Sequence, residues 1–347
     1  DANLLGRGLR IQESISSIKN LTIQNGLESG SAGAGVLVGL SSSVIFQSCN
    51  IINNTTDHHG GGLYLADHGG SNSVSLIDCV ISGNSAEENG GGIHVSSGGN
   101  TLTIENSDIS NNSANVWGGG IYIKNSVIDL SDTQISNNSA YNWGGGLSVW
   151  NSVFDIRNVT IHDNIFMHDG TPSGTDGVGM YSLFSDGILE NTLFYNNSSS
   201  GTGVAISIHK SNVNINKSIF YNNNSIHENH GAAVFLGADS NLSFNNSIIY
   251  NNDFHQISFR SNEGPATLNI AYSDVLGGED SIIFQENGNI NWLNGNIDQA
   301  PQFADSGNGD FTLQGTSPCI DAGDPNSELD PDGTRADMGA YYFHQTS

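Results

Sequence analysis

The sequence predicts an all-β chain wound as a parallel β-helix of about ten turns of about 28 residues, closed by an irregular C-terminal cap. Three observations carry that reading. An apolar residue follows a glycine-rich corner at Val36, Leu63, Ile93, Ile121, Leu147, Met180, Ile206 and Val234, in steps of 26 to 33 residues. Within each short stretch apolar and polar residues alternate, as in Ile121-Tyr122-Ile123 and Ile128-Asp129-Leu130. That period of two marks a strand with one buried face, not a helix. An asparagine also returns once per turn, at Asn54, Asn84, Asn112, Asn138, Asn164, Asn197, Asn223 and Asn252.

Two further apolar columns complete each turn. One runs Ile18, Phe46, Leu76, Ile104, Leu130, Ile156, Leu189, Ile215, Phe244 and Ile270. The other follows five residues later, from Ile23 and Ile51 through Ile109, Ile135 and Phe194 to Val275. Three strands per turn leave no room for a helix between them. Each strand then pairs with its counterpart one turn on, roughly 4.8 Å away, and the inward columns stack into one core. A helical-repeat solenoid does not fit, and the Leu/Asn signature of leucine-rich repeats is missing.

The corners are equally regular. An amide on every turn can bond to those above and below it, so the asparagine column predicts a ladder. The same residues create Asn-x-Ser/Thr matches at Asn111, Asn137 and Asn196, which the ladder explains without glycosylation. The triplets Gly60–Gly62, Gly90–Gly92, Gly118–Gly120 and Gly144–Gly146 suit a corner that a Cβ would block. A phosphate-cradling loop would need a lysine and a strand-to-helix context that these runs lack. Cys49 and Cys79 share a column with Ser107, Thr133, Val159, Thr192, Ser218 and Ser247. Stacked thiols there would lie near bonding range, but a slot for small residues favours free buried thiols.

The pattern fades after Val275, so residues 1–275 read as the β-helix and 276–347 as a capping segment that covers the last open edge. This tail holds most of the chain's six prolines and no glycine triplet. The N-terminal edge shows no equivalent cover, which leaves room for a homo-oligomer or a filament by end-to-end stacking.

Charge narrows the partners. With 35 acidic residues against 9 basic ones the net charge is −26. Nucleic acid and anionic membrane surfaces both need clustered Lys/Arg and are disfavoured. No run approaches the roughly 18 apolar residues of a membrane span. Three cysteines do not make a disulfide framework.

Candidate sites come from what the repeat does not explain. Tyr64, His94 and Tyr122 share an outward column, Trp117 and Trp143 precede consecutive corners, and Trp150 neighbours Lys124. Exposed aromatics in a row make a platform for sugar faces or a partner surface; the alternative is stacking that stiffens a sheet. The longest turn inserts residues 166–176 beside this strip, as a functional loop would. In the tail, Asp324, Asp330, Asp332 and Asp337 around Gly333 resemble an oxygen-rich Ca²⁺ loop, unless Arg335 pairs with them to fasten the cap. His58, His59 and His68 could meet at one corner, and His227 with His230 at another, without compelling metal spacing. A hydrolase would need paired carboxylates; Asp57, Asp67, Glu87, Glu88, Asp169 and Asp176 are placed for it, though solvated loop acids explain them as well.

The Gly-Gly-Gly-Ile and Ile-Ser-Asn-Asn-Ser-Ala repeats over residues 30–255 resemble bacterial secreted right-handed parallel β-helix proteins of the pectate-lyase-like superfamily. In detail they are similar to the repeats of the polymorphic outer-membrane-protein adhesins. The tail motifs Asn308–Leu313, Ser317–Gly323 and Asp330–Tyr341 resemble the terminal module of large bacterial surface β-helix proteins. The resemblance implies an extracellular, surface-attached protein, in a superfamily that holds lyases, hydrolases and adhesins. A lyase of this kind would need a Lys or Arg base, and Arg7, Arg10, Lys19, Lys124, Arg157, Lys210, Lys217, Arg260 and Arg335 are scattered over different turns. Its Asp-His and Arg-x-Pro-x-x-Arg patterns are absent, as are the Gly-His-Gly and Arg-Ile-Lys signatures of the polygalacturonases. The expectation is a structural or adhesive protein, with a polysaccharide-degrading enzyme as the alternative.

Overall fold

The computed structural model describes residues 2–3, 6–66, 69–167, 177–199, 203–225, 232–253, 255–260, 264–283 and 288–345. Successive turns pair in parallel into sheets of 11, 11 and 10 strands. The first runs from Leu9–Gln12 to Ile282–Ile283, the second from Ile15–Lys19 to Gly288–Trp292, and the third from Thr22–Gln24 to Asp274–Val275. Register follows the apolar columns: Ile121 lies against Leu147, and Ile81 against Ile109. The inward residues of all three sheets form one continuous buried core from Ile11 to Ile282. Helical structure among the described residues is limited to the short 3₁₀ turns Gly278–Ser281 and Ser306–Asn308.

A fourth ladder was not expected. Eight two-residue strands, from Leu27–Glu28 to Asn224–Ser225, bridge the third sheet to the glycine corner. The signal for it was the repeated Ser-Ala pair, whose Ala86, Ala114 and Ala140 are buried in a column that also takes Phe166.

Buried hydrogen bonds fix the corners. The Asn112 backbone N–H and its Nδ2 both donate to Asn138 Oδ1 at 3.0 Å, and Asn138 Nδ2 donates to Ile109 O at 2.8 Å. The same pattern runs from Asn54 to Asn252. Asn111, Asn137 and Asn196 are the left-handed residues that turn the chain one step earlier, with φ near +55°, a region asparagine tolerates. At the Cys49/Cys79 column a hydroxyl ladder does similar work: the Cys79 N–H donates to Ser107 Oγ at 3.0 Å, and the Ser218 N–H to Ser247 Oγ. Cys49 and Cys79 are free, buried thiols. Glycine is required where rungs approach closest: Gly118 has φ +64°, and a Cβ on Gly120 would lie 2.6 Å from Gly146 O.

The tail departs from the expected cap. Pairing continues past Val275 through Gly288–Trp292, and the Ile297 N–H still reaches Ser273 O. From there the chain turns back along the outer wall of the third sheet. Leu193, Ile219 and Ile248 point outward from that sheet and are buried with Phe311, Leu313, Cys319 and Met338 in a second core. Hydrophobic burial along the wall therefore decides where the tail lies.

Candidate functional site

The outer face of the first sheet carries the aromatic strip. Parallel pairing puts Tyr64, His94 and Tyr122 in one column, continued by Ser148, Tyr181, Ser207 and Phe235. The position before each glycine corner supplies His59, Trp117 and Trp143, because the triplets fix its register. Where the strand column offers only serine, a ring from elsewhere fills the gap. Trp143 stands 5.2 Å from Trp117 and 5.3 Å from Tyr181, past Ser148. His209 bridges Tyr181 and Phe235, past Ser207, and its Nε2 lies 2.9 Å from Ser207 Oγ.

The result is an unbroken ring stack from His59 to Phe235 along the helix axis. His59 to His94 is 4.4 Å, His94 to Tyr122 is 4.9 Å, and Tyr122 to Trp117 is 5.8 Å. Sequence reasoning found Tyr64, His94, Tyr122, Trp117, Trp143 and Trp150 but missed His59, Tyr181, His209 and Phe235. The spacing was legible; the intervening serines hid the continuity.

Exposure corrects the expected platform. Tyr122 is 2 % exposed and His94 4 %. Trp117, Trp143, Trp150, Tyr64 and Lys124 are half-buried. Ring faces cover ring faces, with Trp117 and Trp143 at 24° and Trp143 and Tyr181 at 10°. Trp150 packs against Trp117 at 5.1 Å, and Lys124 Nζ lies 5.1 Å from the Trp150 ring centre. The Trp117 indole N–H is buried and meets no acceptor among the described residues. Burial, reinforced by the neighbouring His59, holds the His94 pKa well below the usual histidine value. Its Nδ1 lies 3.3 Å from the Asn89 carbonyl, to which a neutral ring can donate.

Among the described residues no three of the tail carboxylates bring ligand atoms within 4.8 Å of one another, and each is engaged by donors of the fold. Asp330 accepts from Lys217 Nζ at 2.9 Å and from the Asp337 N–H at 2.8 Å. Asp332 takes the Thr334 hydroxyl and the Gln345 N–H, which pulls its pKa down to about 2. Asp337 takes the Asp321 and Phe343 N–H groups, and Asp324 the Asn326 N–H. Each carboxylate closes a turn of the tail. Arg335 does not pair with them; it donates to the Gly323 and Ala322 carbonyls and lies over Tyr272. The fastening ion pair is Lys217 with Asp330.

Of the acids placed for hydrolysis, Asp57 accepts from the Gly30 N–H, Glu87 from Asn115, and Glu88 lies between His58 and His59. Asp67, Asp169, Asp176, His68, His227, His230 and most of the 166–176 insertion lie outside the described residues.

Among the described residues, no helix is long and apolar enough to cross a membrane. The family described as right handed beta helix region matches residues 3–127, 71–225 and 114–264, which together span more than half of the chain. The protein belongs to that family of right-handed parallel β-helices. A crystal structure of pectate lyase Pel9A aligns over 95 % of this chain and 88 % of its own, at 14 % identity and a TM-score of 0.35. A likeness of that size decides nothing about chemistry. No curated protein matches the chain.

Proposed function

We propose that this chain is a non-catalytic structural element of an extracellular surface, adhesive in type, whose ring stack serves rigidity before contact. The carrying observation is that the stacked rings occupy one another's faces. A sugar platform needs an open aromatic face, and here only the outer parts of Trp117, Trp143, Trp150 and Tyr64 remain for a partner. Three of the nine cations support the same reading, since each is engaged within the fold. Arg7 holds the Gly33 and Ala32 carbonyls, Arg157 pairs with Asp155 and Glu190, and Lys217 pairs with Asp330.

The enzymatic reading, hydrolysis of a polysaccharide, is favoured by one observation. Tail and wall enclose a groove of about 360 Å³ lined by Glu190, Lys217, Glu328, Asp330, Asp337 and Tyr342. Burial raises the Asp337 pKa there, a direction that suits a general acid.

A panel of neutral and acidic polysaccharides separates the two. The expected outcome is no release of reducing ends or unsaturated products. Turnover that disappears in Glu328→Gln would replace the structural reading with the enzymatic one.

A further inference from the structure

We infer that His58, His59 and Glu88 form a binding site for a divalent transition ion of zinc type, at the corner where the ring stack begins. Among the described residues this is the one group of three or more His, Cys, Asp or Glu whose ligand atoms all lie within 4.8 Å of one another. His59 Nε2 is 2.8 Å from one Glu88 oxygen and His58 Nδ1 is 3.6 Å from the other. Tetrahedral ligands about 2.0–2.2 Å from zinc stand roughly 3.3 Å from one another. Three atoms already within 4.8 Å of one another stand close to that arrangement.

The solenoid itself assembles the group. The Glu88 N–H donates to His58 O at 3.1 Å, so Glu88 lies one rung directly beyond the histidine pair. Stacking turns a His-His on one corner and a Glu on the next into a three-ligand set. No local sequence motif displays it, because the residues are 29 and 30 positions apart. All three side chains are neither fully buried nor fully exposed, so an ion can enter.

Donor chemistry selects the ion class. Two imidazoles and one carboxylate suit zinc, nickel or copper, whereas calcium and magnesium prefer oxygen alone. Three protein ligands also leave one position open, for water or for a donor from another molecule. The ion would change one existing bond. At present His59 Nδ1 accepts the Asn89 N–H at 3.3 Å. With Nε2 on the metal, Nδ1 must carry the proton, so that long hydrogen bond is given up.

Isothermal titration of the full chain, free of any affinity tag, with Zn²⁺ tests the site, with His58→Gln and Glu88→Gln as variants. Both side chains are partly exposed, and circular dichroism melting shows whether each variant folds. One saturable equivalent is expected, weakened at least about tenfold by either substitution, while Ca²⁺ at the same concentration gives no heat of binding. Substituting Co²⁺ should give visible d–d bands that fade in both variants. Zinc binding of unchanged strength in the two folded variants, or no saturable equivalent in the parent chain, overturns the assignment.

Discussion

Two outer walls of the same solenoid solve one problem differently. On the first sheet the outward residues are aromatic and cover each other, from His59 to Phe235. On the third sheet the outward residues change character along the axis. Asn50, Asp108, Gln134 and Thr160 face solvent or lie half-buried on the early rungs, and Leu193, Ile219 and Ile248 replace them later. Beside them, Ser82, Ser110, Ser136 and His162 give way to Tyr195, Tyr221 and Tyr250. The tail covers that apolar stretch: Phe311 lies 5.2 Å from Tyr195 and 5.3 Å from Tyr221. On these two walls a buried outward apolar residue comes with a cover, whereas Ile15, Ile45, Val127 and Val153 of the second sheet stay exposed. Rings of matching register supply their own, and aliphatic residues need another segment.

The largest expected effect breaks the borrowed cover. Phe311 is 1 % exposed and touches Tyr195, Tyr221 and Phe303. Phe311→Ala should lower stability by about 3–5 kcal/mol, the usual range for an emptied aromatic site. Hydrogen exchange is expected to rise first in residues 299–345 and in the outward Leu193–Ile248 column. Denaturation curves that coincide with the parent's would show that the tail is not held by this core.

A smaller loss is expected from the self-covered wall. Trp143 is half-buried between Trp117 and Tyr181, so Trp143→Ala should cost about 2–3 kcal/mol through lost area and two ring contacts. Trp143→Phe should restore most of it, because a ring still fills the space beside Ser148. If alanine and phenylalanine behave alike in thermal melts, the stack is not what stiffens this face.

How much of this was legible follows from which forces repeat. The three inward columns, the asparagine ladder and the glycine corners recur at every rung, so Ile121, Asn138 and Gly118 could be placed from the sequence alone. The ring stack was half legible. Tyr64, His94 and Tyr122 occupy adjacent rungs, but Ser148 and Ser207 interrupt the column, and Trp143 and His209 fill the gaps from other positions of the turn. Burial was misjudged for the same reason, since outward direction was taken for exposure. The tail's position was written in the switch from Thr160 to Leu193, a change in one outward column that a search for recurrence passes over. The His58–His59–Glu88 group was read only as histidines, because its carboxylate belongs to the next rung.

The smallest expected effect concerns the polar end of the covered column. Asp274 follows Ile248 in register, is fully buried, and accepts the Gln299 N–H at 3.1 Å and the Cys319 thiol at 3.4 Å. Burial raises its pKa to about 6, against those two hydrogen bonds and with help from nearby Asp298. In the unfolded chain the group titrates near its ordinary value of about 3.9. Between those values the folded protein binds the proton and the unfolded chain does not, so stability rises as pH falls from about 6 toward 4. The contribution is on the order of 2 kcal/mol. Asp274→Asn keeps an oxygen for the Gln299 N–H and removes the titration. Its stability should match or exceed the parent's at pH 7.5, and the difference should close by pH 4.5. A parent chain and an Asp274→Asn variant with parallel stability-versus-pH curves would mean that this carboxyl does not titrate between folding states, and that the joint between the last rungs and the tail is as indifferent to protons as the ring stack's serine gaps.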